Sequence, residues 1–159
     1  MKPRVYVETS VFSYLTSRES SSLVGATRQL LTRRWWERRG EFELFVSEVV
    51  VRECKAGDGQ AVARRLGAIA GMPLLGLTQR AADIAQLLLA EGIMPAKAAE
   101  DALHIAIAAD HKVDFLLSWN FKHIANPVIQ AQIASRLTGL GLALPFICAP
   151  EELSGEDDE

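Results

Sequence analysis

The chain has 159 residues, 49% of them hydrophobic, and a formal charge of −3, which leaves room for one domain with a real core and too little for two. No apolar run reaches membrane-spanning length and the opening MKPRVYVETS holds no signal-peptide apolar segment, so a soluble, cytoplasmic protein with no membrane partner is expected. The charge is uneven: six of the 20 acids fall in residues 151–159, leaving 14 acidic against 17 basic groups before them, a balance that does not exclude nucleic acid. A single domain over residues 1–150 and an acidic flexible tail over 151–159 are the expected organisation.

Residues 4–7 read as a short β-branched and aromatic strand, followed by Glu8, Thr9 and Ser10, whose hydroxyls can cap the next helix. Leu23, Leu30, Leu31 and Trp35 recur at helical spacing, predicting a helix over 23–39 that Gly40 ends. It is the most basic element, and Arg28, Arg33, Arg34, Arg38 and Arg39 with Trp36 make either a platform for phosphates and bases or an ordinary solvated face. Residues 42–54, FELFVSEVVVREC, divide at Ser47 into a strand and a helix, which places Glu53 on the same face as Val49 and Val50. Asp58 caps a helix over 61–70, residues 74–77 form a third strand, and Thr78 caps a well-buried helix over 79–91.

The stretch EDALHIAIAADHKVDFLLSWNFKHIAN, residues 100–126, organises the rest. Asp101 stands at the front of a helix whose next eight residues are apolar apart from His104, and a carboxylate entering such a core needs a partner, a proton or a metal. A strand over 114–118 then empties into Trp119, Asn120, Phe121, Lys122 and His123. Asn126 and Pro127 mark a cap and first-turn proline for a helix to residue 140, and residues 144–149 supply a last strand. Strands alternating with helices predict an α/β fold with a parallel sheet covered on both faces. Cys54 and Cys148, without metal-ligand spacing, read as inert thiols.

Ligands of such sheets gather outside the carboxyl ends of the strands. Glu8, Glu53, Asp101 and Asn120 can converge there, and a set of carboxylates with an amide oxygen suits magnesium or manganese, ions that activate water against a phosphodiester.

Glu8 in YVETS, Glu53 in SEVVVRE, Asp101 in DALHIA and Asn120 in LLSWNFKHI, in that order and with those flanks, resemble the PIN-domain nucleases, and within them the VapC-like toxins of type II toxin–antitoxin pairs. The resemblance runs to about Pro150. It implies a PIN-like three-layer α/β/α fold with a central mainly parallel sheet, metal-dependent endoribonuclease activity on RNA, a homodimer, and restraint by an antitoxin protein. It also implies that Glu8, Glu53, Asp101 and Asn120 are catalytic and metal-binding. Two positions depart from the common pattern. Glu8 replaces an aspartate, adding a methylene and about 1.5 Å of reach, and Asn120 replaces a frequent fourth aspartate, keeping an oxygen but losing a charge. The alternative implied by those departures is a catalytically weak or inactive PIN-like domain that binds RNA or a protein.

Supporting roles fall to Thr9 and Ser10, which either cap a helix or touch a metal-bound water or phosphate. His104, one turn beyond Asp101, either orients that carboxylate or is a structural histidine. Lys97, Lys122 and His123 flank the site with positive or titratable groups, and Trp119 reads as packing. Two other α/β classes are excluded. A receiver domain needs an aspartate after the third strand, where Leu77 and Thr78 stand, and a haloacid-dehalogenase-like phosphatase needs a DxD pair after the first.

Overall fold

The computed structural model describes residues 1–155. Five strands form one parallel sheet: β1 (Arg4–Val7), β2 (Glu43–Ser47), β3 (Leu74–Leu75), β4 (Phe115–Leu117) and β5 (Phe146–Cys148), in the order β3-β2-β1-β4-β5. Among the described residues seven α-helices flank it: α1 (Thr9–Thr16), α2 (Leu23–Glu37), α3 (Glu48–Cys54), α4 (Gly59–Ile69), α5 (Gln79–Ala90), α6 (Ala99–Asp110) and α7 (Pro127–Gly139). This is the three-layer α/β/α arrangement expected, and it is consistent with a PIN-like fold.

The central strands are apolar on both faces because helices cover both. Val5, Tyr6 and Val7 of β1 and Leu116 and Leu117 of β4 are fully buried. Against them lies α6, in which Ala102 and every residue from His104 to Ala109 are buried. Its alanines let the backbone approach α5, which presents Ala81 and Ala85 in return, so the two helices pack with little side chain between them.

The division of residues 42–54 falls at Ser47, whose side chain caps α3 by accepting from the Val50 N–H. Asn126 caps α7 ahead of Pro127, as expected. Two expectations need correction. The third strand is two residues long and does not reach Leu77. The cap of α1 is Glu8, whose carboxylate accepts the Ser10 N–H, and Thr9 and Ser10 lie inside the first turn. At the start of the acidic segment Pro150–Leu153 form a 3-10 turn, Leu153 packs on the core, and the Arg38 guanidinium donates to the Ser154 carbonyl. The expectation for residues 156–159 lies outside the described residues.

Both thiols are free and buried, and burial pushes Cys54 up to about 11 and Cys148 up to about 12, well away from thiolate chemistry at neutral pH. Among the described residues no helix is long and apolar enough to cross a membrane.

Candidate metal centre

Val7 and Leu117 are register partners at the carboxyl ends of β1 and β4. The residues that follow, Glu8 and Ser118, therefore leave the sheet side by side, and the Glu8 N–H still reaches the Leu117 carbonyl at 3.0 Å. Here the connections part, β1 leading towards β2 on one side and β4 towards β5 on the other, which opens the crevice where parallel sheets hold ligands.

Glu8 is 5% exposed. A carboxylate so buried survives as an anion only with donors around it, and it has three. Oε1 accepts from the Ser10 and Ser118 hydroxyls, each at 2.6 Å, and Oε2 from the Ser10 N–H at 2.9 Å. The same two hydroxyls tie down the chain after β4. Ser10 accepts the Trp119 N–H at 2.9 Å, and Ser118 accepts the Asn120 N–H at 2.9 Å.

Glu53, in the last turn of α3, turns its Oε1 towards the Thr9 hydroxyl at 2.8 Å and His104 Nε2 at 2.5 Å. His104 is fully buried, and its Nδ1 lies 2.6 Å from the Tyr6 hydroxyl, which is in turn 2.7 Å from Ser47 Oγ. A continuous chain of hydrogen bonds thus runs from β2 through β1 and α6 to Glu53. Burial alone would lower the His104 pKa, but the hydrogen bond to Glu53 and the charges of Glu8, Glu53 and Asp101 outweigh it and raise it. Burial would likewise raise Glu53, yet the His104 contact, the Thr9 hydroxyl and Arg52 hold it below the usual carboxylate range. The two shifts agree in direction, each favouring the charged form of its group beside the other.

Asp101, in the first turn of α6, is half-buried and shifted the other way. Burial raises its pKa, the Glu8 charge raises it further, and His104, Asn120 and His123 compensate only in part. Its Oδ1 accepts from Asn120 Nδ2 at 3.1 Å. The Asn120 oxygen accepts the His123 N–H at 3.1 Å, so both ends of that amide are engaged within the protein.

Glu8, Glu53 and His104 each offer a donor atom, and these atoms lie within 4.8 Å of one another. Two carboxylate oxygens and an imidazole nitrogen are a donor set for a divalent ion of the magnesium-to-manganese type, the nitrogen favouring the latter, and His104 Nε2 joins it only when neutral and released from Glu53. Asp101 stands beside this trio and not within it. His104 pairs with Glu53 instead of orienting Asp101. Thr9 and Ser10 spend their hydroxyls on the carboxylates, Lys97 and Lys122 are exposed, and Trp119 is buried with its Nε1 donating to Thr32 Oγ1 at 2.8 Å.

Tyr6, Ser47 and Ser118 complete the site and were not singled out by sequence. A tyrosine in an otherwise aliphatic buried strand was the available signal, since its hydroxyl must find a partner. Ser118 carried a fainter one, as the polar residue that ends an apolar strand.

No protein-family model matches the chain, and no curated protein matches it. Among solved structures it is similar to VapBC2 from Rickettsia felis bound to a DNA fragment from their promoter. The identity is 13% over 79% of this chain and 94% of that one, with a TM-score of 0.49. At that distance the likeness assigns no residue a role.

Proposed function

We propose that this chain is a magnesium- or manganese-dependent endoribonuclease that hydrolyses RNA phosphodiester bonds as the toxin of a toxin–antitoxin pair. The observation that carries the reading is the convergence of Glu8, Glu53 and Asp101, from three separate elements, around buried His104 at the switch point of a parallel sheet. The resemblance of the flanking sequences to PIN-domain toxins supports RNA as the substrate and an antitoxin as the partner.

Glu8 and Glu53 would hold the ion. When bound, it would polarise a phosphoryl oxygen and acidify a water. The protein's own groups do the rest. Three donors fix Glu8, Thr9 and His104 fix Glu53, and Asn120 fixes Asp101 through Oδ1, which leaves Oδ2 free of that bond to accept a proton from the attacking water. The raised pKa of Asp101 suits it to that task. As the water oxygen bonds to phosphorus, a bridging P–O bond breaks and the leaving oxygen takes its proton from solvent.

A homodimer fits the exposed apolar face of α2, where Leu23, Val24 and Leu30 are 84%, 61% and 50% exposed. Trp35, on the same helix, is fully buried and belongs to the core. One observation favours the second reading, a domain that binds RNA or a protein without cutting. The Asn120 amide is committed at both ends, so no fourth anionic donor completes the set. A cleavage assay with magnesium, manganese or chelator, on wild type and Asp101→Asn, separates the two. Metal-dependent cutting that Asp101→Asn abolishes is expected. RNA retention without cutting in either metal would establish the binder.

A further inference from the structure

Immediately beyond the carboxylates lies a cluster that the chemistry above does not use. Phe121 follows Asn120 in the chain and is 43% exposed. Trp119 meets it edge to face at 6.0 Å between centroids, and Tyr14 meets Trp119 on another side, also at 6.0 Å. The Arg28 guanidinium from α2 sits over all three rings, 5.2 Å from Phe121, 5.4 Å from Trp119 and 5.7 Å from Tyr14, and donates to the Tyr14 hydroxyl at 3.2 Å. Among the described residues no carboxylate pairs with Arg28, so its charge is not cancelled locally. Lys122, next in the chain, is exposed on the same turn.

The cluster is also tied to the carboxylates by hydrogen bonds. Trp119 is held by Thr32 through its ring nitrogen, and by Ser10 through its backbone N–H. Ser10 is the residue whose hydroxyl binds Glu8. A shared side chain therefore sets the position of Glu8 and the root of the aromatic cluster together. An exposed ring backed by an uncancelled guanidinium offers what an unstacked nucleobase and its phosphate require: a π-face and a positive charge. A duplex cannot offer that face, because its bases are stacked within the helix.

We propose that Phe121, backed by Arg28, is the stacking platform for an unstacked base flanking the bond to be cut. The proposal rests on the ribonuclease reading and adds to it the element that grips the substrate. The platform is independent of bound metal, so it is read in chelator by fluorescence anisotropy of a labelled single-stranded RNA and of the same sequence as a blunt duplex. Loss of the stack is expected to raise the dissociation constant for the single strand roughly tenfold in Phe121→Ala. Phe121→Leu, which keeps the bulk without the π-face, should lose as much, and Phe121→Tyr should restore wild-type affinity. The duplex should bind more weakly than the single strand and respond little to any of the three. Thermal melts of each variant show that the fold is intact.

Equal affinity of wild type, Phe121→Ala and Phe121→Leu for the single strand overturns the platform, as does duplex binding as tight as single-strand binding. In either case Phe121 is left as a contact for a protein. A wild type that cuts RNA with manganese while the variants bind like it removes only the platform. A wild type that neither binds nor cuts RNA removes the ribonuclease reading with it.

Discussion

Asn120 is the residue where chemistry and architecture are hardest to separate. Its nitrogen donates to Asp101 and its oxygen caps the turn at His123, so it neutralises part of the repulsion between Asp101 and Glu8 without adding charge. In Asn120→Asp the oxygen facing His123 survives, but the other faces Asp101 at the distance where a donor used to be, and two carboxylates that close disfavour joint ionisation. We expect Asn120→Asp to melt below wild type in chelator and to gain more from added manganese, because the ion then screens an extra repulsion. Asp101→Asn, which removes one of the like charges, is expected to melt no lower than wild type in chelator. Equal melting shifts on manganese for Asn120→Asp and wild type would show that position 120 stands outside the influence of the ion.

At the level of elements, the Tyr6 hydroxyl joins three of them, lying between Ser47 at the end of β2 and His104 in α6 while its ring is part of β1. Tyr6→Phe keeps the ring and leaves two buried polar groups short of a partner, a loss of about 1–3 kcal/mol. Denaturant titration should show that loss as a lower midpoint at an unchanged slope; an unchanged midpoint would mean that water or another group takes over. The elements themselves were largely legible in the sequence. Ser47 and Asn126 announce α3 and α7 by cap chemistry that acts within a few residues, and α6 announces itself by its apolar run. What was illegible depends on distance along the chain. Glutamate is not among the common cap residues, so Glu8 read as an acid and not as the start of α1. The four proposed site residues could be named from their flanks, but the bond between Ser118 and Glu8 spans 110 positions and that between Tyr6 and His104 spans 98. Neither leaves a periodic trace. The turn over Pro150–Leu153 was illegible too, because Leu153 and the Arg38 contact act against a local composition that is mostly polar.

For the molecule as a whole, the buried charges set how stability depends on pH. His104 has a raised folded pKa, so its contribution is fully present below its ordinary value of 6.5 and is lost as pH rises through the folded value. Glu53 has a lowered folded pKa, so its contribution is present above its ordinary 4.5 and is lost as pH falls through the folded value. Metal-free protein should therefore be most stable between those limits and should weaken on the alkaline side. His104→Gln, which retains an N–H for Glu53, should remove the alkaline decline; urea titrations from pH 5.5 to 9 in chelator that fall equally for both proteins would assign the decline to other groups. The long reach of the Ser118 to Glu8 bond has a further consequence, in the order of synthesis. Glu8 leaves the ribosome well before the helix bearing Asp101 and His104, and 110 positions before Ser118, whose hydroxyl anchors it. At roughly 5–20 residues per second, the nascent polypeptide spends several seconds with its acids apart, and the centre comes into being only once Ser118 has followed Glu8 out.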